Sequence, residues 1–463
     1  MHIGRSDVIW SYLAIFMKIG ASLLLLPFIL KMMPPETVGV WTIFITITSF
    51  INLLDFGFNP SFTRNVTYVF SGVRRLKANG IVESKSSDVI DYYLLKGLIN
   101  TMRWFYTRVS IVVLLLLLTI GSYYIHYLLQ SYSGQKFEVY VAWFLLCIIN
   151  ATNLYTQYYD SLLQGKGLIK VSKQIIVFGQ LVYLSLAILL VMLDQGLIAV
   201  VLAQASAVFV VRMLSYRSFF TSELYNKMEK NQSYNIKDIL QAIYPNALKI
   251  GLTSLGGFAI TRSSIIIGSL YLTLNEIASY GITMQIVGVI SALSTTYTTT
   301  FTPKISQYRI QNDVFGIKDI YLKGQIVLFI TFILCGLLLL STGSSILSII
   351  GSKTSFLPNN LLTITLIFTL LENNLVIAGG ILVTTNNVPF FKSSLYAGVG
   401  TILLLFVFLH FFKCGVISLI LAPGIVLCMY QNWRWPYEVH KDLSITLRDY
   451  AKICRRSIMR GQE

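Results

Sequence analysis

About twelve runs of roughly 20 apolar residues, separated by short polar stretches, decide what kind of molecule this chain makes. A helix rises about 1.5 Å per residue, so each run is long enough to cross a hydrocarbon core about 30 Å thick. The runs lie near 8–30, 38–59, 104–128, 138–160, 170–193 and 196–216, then near 246–272, 277–300, 324–350, 359–385, 394–413 and 415–433. A polar stretch divides them six and six. The expectation is an all-α integral membrane protein of about 12 transmembrane helices, in two six-helix halves around a central cleft. Its segments are an N-terminal bundle at 1–216, a linker at 217–240, a C-terminal bundle at 241–433 and a basic tail at 434–463.

Composition agrees. Of 463 residues, 55% are apolar and 12% charged, with a mean hydropathy of +0.68. A water-soluble chain of this length shows more charge. The formal net charge is +16, but the basic residues sit in loops between apolar runs, not in a water-facing patch. That excludes nucleic acid as a partner and points to membrane topology. With the N-terminus inside, inner segments hold 29 Lys and Arg and outer loops hold four, a strong positive-inside bias. Both termini are therefore expected in the cytoplasm. The first run is too long for a signal peptide, and no small-residue cleavage site follows it. Five cysteines stand singly, with no metal-ligand or disulfide spacing. No metal and no cofactor are expected.

Outer loops reach only about a dozen residues, which leaves little room for an outer-face catalytic site. His2, His126, His410 and His440 lie near span ends or the termini, so no His/Asp cluster marks an enzyme. The two halves also echo each other. A shift of 240 brings Glu36 in PPETVGVW onto Glu276 in LNEIASYG, and Arg64 onto Lys304. Parallel repeats related by an axis along the membrane normal are expected.

The chemistry rests on a few polar groups inside apolar runs. Arg262 lies near the middle of IGLTSLGGFAITRSSIIIGSLYL. A guanidinium at the bilayer centre costs at least about 2.5–3.5 kcal/mol and cannot shed its charge. It needs an anionic partner or a wet cavity. The bland alternative is a structural ion pair. Lys18 occupies the corresponding place in the first span, and Lys249 opens the seventh. Converging cations repel unless an anion joins them, and a diphosphate suits: Arg grips with two donors and Lys acts as a point charge. Lys18, Arg262 and Lys249 are therefore the diphosphate-binding candidates. Glu372, in LFTLLENNLVIAGG, is a counter-ion of Arg262 or a group that couples transport to protons or sodium. Asp55, in LLDFGFNP, is the second coupling or counter-ion candidate, and Gly57 and Pro60 mark a hinge beside it. Asn150, Asn153, Gln157 and Asp160 share one helical face of the fourth span, and Ser291, Ser294, Thr295 and Thr298 share one of the eighth. Such stripes bond neighbouring helices or line a polar passage for sugar hydroxyls. The aromatic and basic stretch 91–108 is expected at the inner interface.

Twelve spans in two halves, PPETVGVW after the first, and then LLDFGFNPSFTRNVTY resemble the bacterial polysaccharide repeat-unit (O-antigen) flippases, the Wzx-like group. These belong to the multidrug/oligosaccharidyl-lipid/polysaccharide (MOP) exporter superfamily. Asp55-Phe56-Gly57 stands where many relatives have Asp-Leu-Gly. The resemblance implies a MATE-like fold with alternating access. It further implies translocation of undecaprenyl-diphosphate-linked oligosaccharide from the cytoplasmic to the periplasmic leaflet of the inner membrane, for cell-surface polysaccharide synthesis. The partners it implies are the lipid-linked oligosaccharide, membrane lipids, and polysaccharide polymerase or chain-length machinery. The alternatives are a cation-coupled multidrug exporter of the same superfamily and a membrane glycan-assembly enzyme such as a polymerase.

Overall fold

A computed structural model describes residues 5–73, 90–229, 235–311, 313–384, 389–446 and 449. Among the described residues the chain is helical, without a strand. It divides into two compact units, Met1–Leu255 and Gly256–Glu463.

The first unit holds α1 (Arg5–Met32), α2 (Pro35–Leu53), α3 (Phe58–Phe70) and α4 (Tyr92–Leu116). A π-helical turn, Leu117–Gly121, leads from α4 into α5 (Ser122–Leu128). Then come α6 (Lys136–Tyr155), α7 (Tyr158–Gly165), α8 (Ile169–Met192), α9 (Gly196–Phe219) and α10 (Ser222–Glu229). The next helix, α11 (Ile236–Thr261), begins in this unit and ends in the second. Asp91 caps α4 by accepting the Leu94 N–H at 3.0 Å, which satisfies one of the four donors that every helix start leaves open.

Two spans of this unit are broken. α2 ends at Leu53, and α3 begins after Phe56 and Gly57, both at positive φ (47° and 71°). Gly57 takes that conformation freely; a phenylalanine there is strained. The hinge expected at Asp55–Pro60 is present as this break. The second break separates α6 from α7 at Thr156 and Gln157. α3 and α7, the pieces beyond the breaks, pack closely: a Cβ on Gly165 would fall 2.5 Å from the Val66 side chain.

The second unit holds α12 (Ser263–Gly268), α13 (Leu274–Ile310), α14 (Val314–Ile350), α15 (Asn359–Val383) and α16 (Phe391–Phe406). A π-helical turn, Val407–Phe411, and a 3₁₀ turn, Gly415–Ile417, precede α17 (Ser418–Met429) and α18 (Gln431–Asp442). Its core packs Val287 of α13, Tyr321, Leu328 and Phe332 of α14, Ile377 and Ile381 of α15, and Val439 of α18. Outward sides are apolar too: Ile120, Phe209, Leu338 and Phe411 are all more than 60% exposed. Side chains like these along whole helices suit hydrocarbon, not water. Eleven helices are long and apolar enough to span. This is a multi-span membrane protein.

The seventh span differs from expectation. α11 starts at Ile236, inside the stretch read as linker, and the apolar piece Gly251–Thr261 is too short to cross alone. The third span also starts earlier, because α4 runs unbroken from Tyr92 through the stretch expected to lie at the interface. Glu36 and Glu276 both occupy the first turn of the helix after their unit's opening span, as the repeat requires. The symmetry is incomplete. Unit one breaks its second and fourth spans, whereas α13 runs 37 residues without a break.

Candidate functional site

Arg262 stands at a break between α11 and α12, with φ −125° and ψ −19°. Local hydroxyls flank it. Thr261 Oγ1 donates to the Gly257 carbonyl at 3.0 Å, and Ser263 Oγ donates to Ala259. Such bonds compete with the helix ladder and bend it. Only six residues separate Arg262 from the end of α12, about 9 Å of helix.

The Arg262 side chain is exposed. Half-buried Glu372 of α15 and buried Tyr280 of α13 are within its electrostatic reach. Among the described residues, however, neither Arg262 nor Glu372 makes a side-chain hydrogen bond or ion pair. Glu372 thus shares the electrostatic environment of Arg262 without closing a salt bridge to it. The surrounding wall is built from main chain: Ser264 Oγ and Tyr280 Oη both donate to the Leu419 carbonyl, at 3.2 and 3.3 Å. An exposed guanidinium beside a half-buried carboxylate can take an anion through its free donors.

Lys18 sits midway along α1, exposed and without a described partner. The side chain of Lys249 lies outside the described residues.

The polar groups of the first unit are largely committed to one another. Asp55 is 5% exposed and accepts the Tyr106 hydroxyl at 2.5 Å and the Asn59 N–H at 2.9 Å. Arg212 of α9 donates to Asp160 at 2.9 Å and to Asn153 at 2.7 Å. Asn150 donates to Thr48 of α2 at 3.2 Å and to the Leu146 carbonyl at 3.0 Å. Arg103 donates to the Tyr158 hydroxyl at 3.2 Å. The stripe read on the fourth span is interrupted at Thr156 and Gln157, and Asn150, Asn153 and Asp160 fasten α6 and α7 to neighbouring helices. Gln157 keeps a buried amide oxygen without a partner.

In the second unit, Ser291, Ser294 and Thr295 donate to carbonyls one turn back on α13. Asn373 donates to Ser291 at 3.0 Å, and Gln325 donates to Asn374 at 2.8 Å. Thr298 is buried with its hydroxyl unpaired.

Sequence reasoning misses Arg212, Tyr106 and Tyr280. By position Arg212 counts with an inner loop, yet it interrupts the apolar run AVFVVRML, which is the signal that places it inside a helix bundle. Tyr106 is hidden in a stretch that reads as interfacial.

No family model matches this sequence, and no curated protein does. Solved structures do match. The lipid II flippase MurJ in an inward closed conformation aligns at a TM-score of 0.63 and 12% identity, over 98% of this chain and 91% of that one. An inward-facing multidrug resistance MATE family transporter of the MOP superfamily aligns at 0.60 and 13%, over 95% and 98%. This chain shares the fold of these transporters. The MATE multidrug transporter DinF-BH aligns at 0.59 and 15%, over 96% of each chain. The expected MATE-like architecture is therefore the one observed.

Proposed function

We propose that this chain is a flippase that carries undecaprenyl-diphosphate-linked oligosaccharide from the cytoplasmic to the periplasmic leaflet of a bacterial inner membrane by alternating access. The observation that carries this reading is Arg262, an exposed guanidinium in the apolar stretch 250–272 with no hydrogen-bonded counter-ion among the described residues. A permanent charge at that depth is costly unless something anionic offsets it. A diphosphate matches its paired donors, and a lipid tail can stay in the bilayer while the head group moves. Lys18, also exposed within a span, is the second candidate contact. The fold is shared with a protein described as a lipid II flippase, which makes a lipid-linked glycan a reasonable cargo class.

A second reading, export of cationic drugs, draws on the MATE multidrug transporters with the same fold and on half-buried Glu372. It ranks lower because cationic cargo would have to approach Arg262.

Reconstitution into liposomes separates the two. A fluorescent undecaprenyl-diphosphate oligosaccharide should become accessible on the far face with the protein present, while a lipophilic cationic dye should not be moved. Dye transport without glycan movement would overturn the proposal.

A further inference from the structure

A second polar feature of the molecule has no part in the proposed cycle. In the second unit, a cavity of about 560 Å³ opens between the first turns of α16, the end of α17 and the start of α18. The chain makes room for it at Tyr430, where φ −144° and ψ −54° break α17 from α18. Lys392, Tyr396, Tyr430, Gln431 and Trp435 supply its polar atoms, and Met429 with its neighbours supplies an apolar wall.

Two observations point to what fills it. Trp435 is only 7% exposed, yet its indole N–H is buried without an acceptor. A buried donor left unpaired is costly and calls for a partner. Lys392, at the rim, is exposed and makes no hydrogen bond or ion pair among the described residues. No acidic residue lines the cavity, and Glu438 further along α18 is already paired with Arg434 at 2.7 Å. The polar atoms on offer are a cation, an indole N–H and two phenols; the Gln431 amide already donates to the Ser393 carbonyl at 3.2 Å. That set suits a phosphate oxygen, and the apolar wall suits a hydrocarbon chain.

Position in the bilayer narrows the ligand. The last span, Gly415–Asp442, ends in α18, which carries Arg434, Glu438, His440, Lys441 and Asp442. Charges of that density do not sit in hydrocarbon, so the α18 end lies in the head-group layer. Trp433 and Tyr437, both exposed on α18, are the aromatic types that collect there.

We propose that this cavity is a binding site for a resident anionic phospholipid. Its phosphate is held by Lys392 and the Trp435 N–H, and its chains run along Tyr396 and Met429 into the bilayer.

The test is lipid retention by the full-length protein in detergent, read by native mass spectrometry with phosphatidylglycerol and phosphatidylcholine at equal concentration. The wild type should retain phosphatidylglycerol in preference. Lys392→Gln should lower that retention by about five-fold, the worth of one basic residue near a lipid surface. Trp435→Phe should lower it too, while Lys31→Gln, on α1, should leave it unchanged. If Trp435→Phe does not fold, Lys392→Gln decides alone, because its side chain is exposed and unpaired. Wild-type retention by Lys392→Gln overturns the proposal. So does displacement of phosphatidylglycerol by undecaprenyl diphosphate in the wild type but not in Lys392→Gln, since the cavity would then belong to the cargo.

Discussion

Arg212 of α9 donates to Asp160 of α7 at 2.9 Å and is additionally held by Asn153. Arg262, in the apolar stretch 250–272, has no such bond among the described residues. The same side-chain type thus occurs in two states. The Arg212 side chain is 14% exposed and internally neutralised, as a structural cross-brace should be. Arg262 keeps its donors available, as a binding group should.

Loss of Arg212 should therefore appear as loss of stability. Arg212→Gln leaves the Asp160 carboxylate without its cation among apolar helices. Breaking a fully buried pair costs about 3–5 kcal/mol, and partial exposure of both partners reduces that to roughly 2 kcal/mol. Thermal unfolding in detergent should show a clear fall in Tm. An unchanged Tm would mean that the ion pair does not fasten α7 to α9.

Tyr106→Phe should act similarly at the first break. It removes the hydroxyl that Asp55 accepts and leaves a nearly buried carboxylate with the Asn59 N–H. The expected loss is about 1–2 kcal/mol, read by the same unfolding measurement. Asp55→Asn should offset part of it in the double variant, because a neutral amide needs less compensation. Strict additivity of the two changes would contradict a direct coupling.

The segment after the last span is pinned by charge. Asp449 binds Lys318 of α14 at 2.6 Å and accepts the Thr446 N–H and hydroxyl at 2.8 Å. The Lys318 ammonium, then the Thr446 donors, hold the Asp449 carboxyl below the usual carboxylate range. A depressed carboxylate contributes stability that is fully present above its unfolded pKa, about 3.9, and is lost as pH falls through the folded value. Protection of this segment from proteolysis should therefore be level from pH 7 down to about 4 and fall only below that. Asp449→Asn should remove the protection at neutral pH. A loss of protection near pH 6 in the wild type would point to a different group.

Glu372 shares electrostatic reach with Arg262 and opposes any anion bound there. Glu372→Gln should therefore tighten binding of a soluble isoprenoid diphosphate by roughly three-fold, measured by calorimetry in detergent. Weaker binding would show that Glu372 positions Arg262 instead of competing with its ligand.

Much of the fold was legible in the chain because hydrocarbon imposes a simple length rule: it gives about twelve runs, and among the described residues eleven helices are long and apolar enough to span. What the rule missed is where helices break. Asp55-Phe56-Gly57 announced itself through glycine and the proline that follows. The break at Thr156 and Gln157 carries no glycine or proline and reads as one continuous polar face. The break at Arg262 is flanked by hydroxyls that bond back to carbonyls, which hydropathy does not register. Lys18, Arg262 and Glu372 were visible as charges in apolar runs. Whether each had a partner was not, because that depends on which helices pack together. Arg212 and Asp160, 52 residues apart, show how far such a partner can lie.

The central claim is that Arg262 serves an anionic cargo. Translocation of a fluorescent undecaprenyl-diphosphate oligosaccharide should be compared in liposomes for wild type, Arg262→Gln and Arg262→Lys, at equal amounts of folded protein. The expected result is a fall of at least about ten-fold for Arg262→Gln, equivalent to about 1.4 kcal/mol, with unchanged Tm and partial activity for Arg262→Lys. Wild-type translocation by Arg262→Gln would contradict the account and leave Arg262 a structural residue.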